Sequence, residues 1–172
     1  MLTRLHDERG QGLIELVVAM VVITVAVLAL MASYDEAFVS LHKSARTTAA
    51  ATLAETQLEL YGALPYASIW LNTSLVTTAK ASDAFYTTDE AVLTPSGTTE
   101  YTDVSCTNTL PQCMPVRASV AGSDGKNYRV ETFIRNIASG SATERTVTVV
   151  VRDPNTSGTP KVYTATAAFD QG

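Results

Sequence analysis

Arg9-Gly10-Gln11-Gly12-Leu13-Ile14-Glu15-Leu16 is the stretch on which the architecture of this chain turns. Gly10 closes a short polar leader. Glu15 then stands near the start of an apolar run, Leu13–Ser33, that contains neither Gly nor Pro. At about 1.5 Å rise per residue the run spans roughly 30 Å as a helix, enough to cross a bilayer. A carboxylate at a bilayer centre costs about 2.5–3.5 kcal/mol and marks a function. Glu15 therefore calls for a partner, and the simplest is a positive charge created nearby. If the chain is cut after Gly10, Gln11 becomes a free α-amine one helical turn before Glu15, on the same face. A carboxylate is also favoured near a helix N-terminus, where the macrodipole leaves partial positive charge.

Two simpler explanations fit less well. A secretory signal peptide has an apolar core of about 7–15 residues and a small-x-small cut site. Here the core is longer, Glu15 lies within its start, and Leu30-Met31-Ala32 is a poor cleavage tripeptide. An uncleaved single-pass anchor carrying an extracytoplasmic binding module remains the alternative, and it leaves Glu15 unexplained. Arg4 and Arg9 are balanced by Asp7 and Glu8, so the positive-inside signal of the leader is weak. With the bulk of the chain after the span, the expected topology is N-inside and C-outside.

In these residues the chain resembles the type IV pilins and pseudopilins, whose leader ends in Gly and whose hydrophobic helix opens on a Leu-Ile-Glu triplet. Gly10 and Leu13-Ile14-Glu15-Leu16 match that pattern. Gln11 and Gly12 depart from it, since the family usually has Phe and Thr there. A terminal Gln can also cyclise and lose its charge, which bears on N-methylation at Gln11. The resemblance implies cleavage between Gly10 and Gln11 by a prepilin peptidase, and assembly with other pilins or pseudopilins on an inner-membrane platform. It further implies a helix that lies in lipid before assembly. Heterologous contacts that do not close then generate an open helical filament. Its apolar core would be built from Leu13, Ile14, Leu16 and their successors, packed at small positions such as Ala19, Ala26 and Ala29. Glu15 would pair with the amine of an adjacent subunit and set axial register, because a wrong register leaves a charge unpaired in apolar surroundings. The implied location is the cytoplasmic membrane with the C-terminal domain outside, then a pilus or pseudopilus at the cell surface or in the periplasm.

Composition agrees with one exported domain on a membrane stalk. The 172 residues suffice for one modest domain beyond leader and span. The formal net charge is −5, and the leader's charges cancel, so cleavage leaves it unchanged. Nucleic acid is not favoured as the main partner, because phosphate binding wants a basic stripe and the Lys and Arg residues are scattered.

Helical periodicity continues past the span. Phe38, Leu41, Ala45, Ala49, Leu53, Thr56 and Leu60 recur at three or four residues and predict a stripe that packs on the domain. Lys43, Ser44, Arg46, Thr47, Glu55 and Glu59 read as the solvated side, and Gly62 and Pro65 end the helix. A coiled coil is disfavoured because heptads are not sustained. The run Ala49–Leu60, followed by Ala63-Leu64-Pro65-Tyr66, is similar to minor pilins of the PilV type and the type II secretion pseudopilin GspI, which tilts the assignment toward a minor subunit.

From Ala67 to Asp103 the Thr-, Ser- and Ala-rich sequence reads as a long connection with short local structure. Four strands are predicted after it: Pro115–Ala121, Asn127–Ile137, Arg145–Arg152 and Lys161–Phe169. In the second, Tyr128, Val130, Thr132 and Ile134 alternate with Arg129, Glu131 and Arg135, a half-buried pattern. Turn chemistry at 122–125, 139–141 and 153–158 predicts an antiparallel meander with one face on the outer half of the helix. The fold class is thus α+β: a long N-terminal α-helix, membrane-spanning in its first half, on a C-terminal antiparallel sheet. The expected segments are leader 1–10, filament-core helix 11–33, outer helix 34–64 and globular head 65–172.

Cys106 and Cys113 are the only cysteines and lie in the exported part, where pairing is favoured. Two free thiols are the rival state. No catalytic cluster is visible, so no enzyme activity is expected. His42 is the one His beyond the leader and sits on the helix near the membrane. Asp35-Glu36 and Asp89-Glu90 read as solvated pairs. Asp153, Asn155 and Ser157 have calcium-like spacing, but a Pro-containing hairpin turn explains them as well; no cofactor or metal is assigned. Tyr61, Tyr66, Trp70, Phe85 and Tyr86 read as helix–sheet core rather than an adhesive surface. The reading is therefore a structural subunit of a type IV pilus or type II secretion pseudopilus.

Overall fold

The computed structural model describes residues 11–94, 101–139 and 142–171. The leader 1–10, Gly10 among it, and Gly140-Ser141 of the expected second turn lie outside the described residues. The chain divides into two units, Met1–Ser44 and Ala45–Gly172. The division falls within helix α1, Gln11–Gly62.

In the second unit, the turns after α1 lead to β1 (Leu71–Asn72), α2 (Thr73–Ser82), α3 (Ala84–Leu93) and β2 (Thr102–Asp103). The expected strands follow as β3 (Val116–Ala121), β4 (Asn127–Ser139), β5 (Ala142–Arg152) and β6 (Lys161–Phe169). They form a four-stranded antiparallel sheet in the order β3-β4-β5-β6, with Val130 opposite Val151 and Ile134 opposite Val147. A short parallel pair joins β1 to β2. The β3–β4 turn depends on glycine at two points. Gly125 has φ +76°, and a Cβ on Gly122 would come within 2.6 Å of the Tyr128 ring.

The connection expected over 67–103 is corrected: it holds two helices of 10 residues each. Their punctuation is side-chain capping. Asn72 caps α2 by accepting from the Leu75 N–H at 2.9 Å. Asp83 ends α2 and caps α3 by accepting from Phe85 and Tyr86 at 3.1 and 3.2 Å. Thr-rich helices of under three turns have low intrinsic propensity and little periodicity, so caps and tertiary contacts decide them.

Those helices also correct the half-buried strand pattern. On one face of the sheet Ala49, Ala50, Ala54 and Tyr61 of α1 meet Tyr128, Val130, Ile134, Val147, Val149 and Val151. On the other, Ala79 and Tyr86 meet Phe133 and Val150, with the Tyr86 and Phe133 rings stacked at 4.6 Å. Both faces of the central strands are therefore covered, and Val149, Val150 and Val151 are all fully buried.

The stripe on α1 is rotated from its expected position. Phe38 and Leu41 are 58% and 65% exposed, and Ala45, Thr56 and Leu60 are also exposed. The buried line is Ala49, Ala50, Ala54, Gln57 and Tyr61. Alanine lets the helix approach the sheet closely, and the polar members of the line have partners. Gln57 donates to the Pro111 carbonyl and accepts from Arg117, and the Tyr61 hydroxyl donates to the Gln112 carbonyl at 2.6 Å. Arg46, expected on the solvated side, pairs with Asp153 at 3.0 Å.

Candidate functional site in the N-terminal helix

Helix α1 includes positions 11 and 15, which stand one turn apart on it. Glu15 is solvent-exposed. Among the described residues no ion pair reaches Glu15. Leu13, Ile14 and Leu16 are 70%, 67% and 59% exposed, and Ala19, Ala26 and Ala29 are exposed beside them.

This segment is apolar on every side rather than along one stripe. Its mean hydropathy reaches 2.9, and the helix is long and apolar enough to cross a membrane. Its two hydroxyls are satisfied inside the helix: Thr24 donates to the Met20 carbonyl at 2.7 Å and Ser33 to the Ala29 carbonyl at 3.1 Å. Among the described residues Glu15 is the polar side chain of the run without an internal partner. A Cβ on Gly12 would meet nothing within 4 Å, so the glycine answers no steric demand in this helix.

Cys106 and Cys113 form a disulfide with Cα atoms 5.6 Å apart, and both are buried. The bond closes a loop whose carbonyls hold the rest of the head together. Pro111 and Gln112 receive Gln57 and Tyr61 of α1, and Cys106 receives the Asn72 amide at 2.5 Å. Burial pushes the Tyr61 phenol up, well beyond its ordinary range.

The head's charged residues are organised in a way the sequence did not suggest. Asp89, read as one of a solvated pair, is 1% exposed. It binds Arg152 and Lys161, each at 2.6 Å. Fully buried Glu131 joins Arg152 at 3.1 Å and Arg129 at 2.6 Å, and Arg129 continues to Asp83. Burial opposes the charge on Asp83, yet Arg129 and the Tyr86 and Phe85 N–H groups together hold its carboxyl below the usual carboxylate range. Arg145 lies between the Tyr66 and Tyr101 rings, 4.2 and 3.8 Å from their centroids, and donates to the Tyr66 and Ile69 carbonyls. Apart from Arg129 and Glu131, two residues apart on β4, the members of these pairings lie far apart in the chain, and only spatial contact reveals them.

In the first group each carboxylate is paired with an arginine or lysine, and Arg145 is held by two rings and two carbonyls. The same holds at the calcium-like spacing. Burial opposes the charge on Asp153, but the Asn155 N–H, the Thr156 hydroxyl and Arg46 hold it below the usual carboxylate range. Its carboxylate is thereby occupied. Among the described residues no group of three or more His, Cys, Asp or Glu side chains is placed to hold a metal ion. The aromatic residues divide: Tyr61 and Tyr86 are fully buried, while Phe85 is 38% exposed.

Residues 5–31 match the family model of the prokaryotic N-terminal methylation motif. The search of curated proteins matches nothing, and neither does the search of solved structures. The motif supports a type IV pilin-like substrate of prepilin peptidase, and it indicates a structural protein rather than a known enzyme family. Motif and apolar helix together support membrane anchoring with a C-terminal domain beyond the span.

Proposed function

We propose that this chain is a subunit, of the minor kind, in a type IV pilus or a type II secretion pseudopilus. Prepilin peptidase cuts between Gly10 and Gln11, and the segments are leader 1–10, filament-core helix 11–33, outer helix 34–64 and head 65–172. The observation that supports this reading is Glu15, with no ion-pair partner among the described residues, in the run Leu13–Ser33 of α1, which is otherwise apolar or internally satisfied. A free amine at Gln11, methylated or not, supplies the missing charge one turn away within a subunit or from its neighbour. In the filament Leu13, Ile14 and Leu16 lie in the apolar core and Ala19, Ala26 and Ala29 give close packing. The assembly platform of the inner membrane extracts the helix from lipid. The PilV- or GspI-like character rests on the run Ala49–Leu60 alone.

The test is the mass of the N-terminal peptide in the native host, with and without its prepilin peptidase. A peptide starting at Gln11 and lost without the peptidase is the expected result, and its mass reports methylation or cyclisation. An intact leader in both strains would instead mean a plain single-pass anchor. Copy number in sheared filaments then separates a minor from a major subunit.

A further inference from the structure

Helix α3 meets the sheet through a face that alternates charged with apolar groups. Its cap Asp83 pairs with Arg129 and its buried Asp89 with Arg152 and Lys161, while Tyr86 and Leu93 join the small cluster around Phe133 and Val150. Fully buried Glu131 links Arg129 to Arg152. The Phe85 ring lies against both arginines, its centroid 5.9 and 5.2 Å from their guanidinium carbons. Two further charged groups face this helix: Lys80 of α2 pairs with Glu90 at 2.5 Å, and Arg135 of β4 donates to the Leu93 carbonyl at 2.9 Å. The carboxylates Asp83, Asp89 and Glu131 thus balance the cations Arg129, Arg152 and Lys161 in one network. The rest of the head is held differently. On the opposite face α1 meets the sheet through Ala, Tyr, Val and Ile side chains. Helix α2 belongs partly to that side, because Val76 is buried in the same cluster and the cap Asn72 is fixed to the Cys106 carbonyl.

We infer that α3 is an acid-released latch: at neutral pH the ion network holds it on the sheet, and in acid it lifts while α1 and the sheet stay folded. Acid that neutralises Asp83, Asp89 and Glu131 leaves Arg129, Arg152 and Lys161 together with their counter-charges gone. The Arg152 and Arg129 side chains are only 7% and 15% exposed, and a buried charge without a partner is strongly unfavourable. The sign follows from Asp83, whose carboxyl Arg129 and two backbone N–H groups hold below the usual range. Its contribution is present above the unfolded value of about 4 and is lost as pH falls through the folded value. The Lys80–Glu90 tether to α2 weakens in the same direction. On the α1 face the pair Arg46–Asp153 stands beside an apolar contact that acid leaves unchanged. Arg135 keeps its charge and its hold on Leu93, so release begins at the Asp83 end. Lifting α3 uncovers Phe133 and Val150, which are buried at neutral pH.

The experiment is hydrogen exchange on the full detergent-solubilised chain, stepped from about pH 7 to about pH 3 and read as protection factors, which remove the intrinsic pH dependence of exchange. A helix of 10 residues detached from its support does not keep its own hydrogen bonds, so exchange reports detachment. Protection over residues 85–92 is expected to fall by about tenfold or more in acid, while residues 147–151 of β5 and 49–61 of α1 change by less than about twofold. At neutral pH, Asp89→Asn and Asp83→Asn should each loosen α3 in the same way with the sheet still protected, and should flatten its response to acid. Should Asp89→Asn fail to fold, Asp83→Asn, which keeps a capping oxygen, decides the matter. Unchanged protection of α3 in acid overturns the inference. So does loss of protection in α3 and β5 at the same pH, because acid unfolding is then one global step.

Discussion

Helix α1 contains two stretches with the same backbone and different chemistry. From Leu13 to Leu41 the large apolar residues are all exposed, at 44–70%, around the whole circumference. From Ala49 to Tyr61 burial is confined to a line of small and hydrogen-bonded residues, while Glu55 and Glu59 face water. A segment that is apolar all round is made for lipid or for other helices like itself, whereas a narrow line is made for one particular surface. The first stretch therefore depends on composition, and the second on the fit of individual side chains to the sheet.

Substitutions can break that contrast, beginning with the largest effect. On the proposed cleavage between Gly10 and Gln11, Glu15→Ala should leave membrane insertion intact and strand the amine at Gln11. An unpaired charge in apolar surroundings costs about 3–5 kcal/mol, so filament incorporation is expected to fall by roughly a hundredfold or more. Quantifying the variant in sheared filaments checks this, and normal incorporation would remove Glu15 from the assembly mechanism. Replacing both cysteines by Ser releases the loop that receives Gln57 and Tyr61. The head should lose about 2.5 kcal/mol in the chain-entropy model, read as a lower urea midpoint of the detergent-solubilised chain. Filament-core packing in pre-reduced membranes should not change before the head opens.

A paired substitution sharpens the comparison. Ala54→Leu overfills the contact between α1 and the sheet and should cost about 1–3 kcal/mol. Ala26→Leu, in the exposed apolar stretch, should leave head stability unchanged; equal losses would mean that the two stretches are not distinct. The smallest effect concerns pH. Asp83 and Asp153 sit below the ordinary carboxylate range, so their contribution is present above the unfolded value of about 4 and is lost as pH falls through the folded values. Head stability should not fall through these two groups between pH 8 and 5, and should drop below about pH 4; Asp83→Asn, which keeps a capping oxygen, should shrink that acid-side drop.

Legibility followed the range of the interactions. The four strands were readable because alternating Val and Thr with turn residues at 122–125 and 153–158 are local signals. The α1 stripe was read about one position out of register, because Ala, Gln and Tyr carry no strong hydropathy signal and their burial depends on the loop at Pro111 and Gln112. Helices α2 and α3 were missed for a related reason. Asn72 and Asp83 are caps that sequence inspection can find, but the Thr-rich segments between them show little periodicity. A search for Asn or Asp three residues before a Tyr- or Leu-containing turn would have raised them.

By itself the sequence determined the membrane-type helix, the place of Glu15 one turn from Gln11, and the antiparallel strands. Each depends on residues close together in the chain: length of apolar run, turn spacing and period. The tertiary structure alone decided which line of α1 is buried and that the sheet is covered on both faces. It also turned Asp89 and Glu131 from apparent surface charges into a buried network with Arg129, Arg152 and Lys161. A buried charge is tolerated only where a partner reaches it, and those partners come from strands and helices that meet only when the chain is folded.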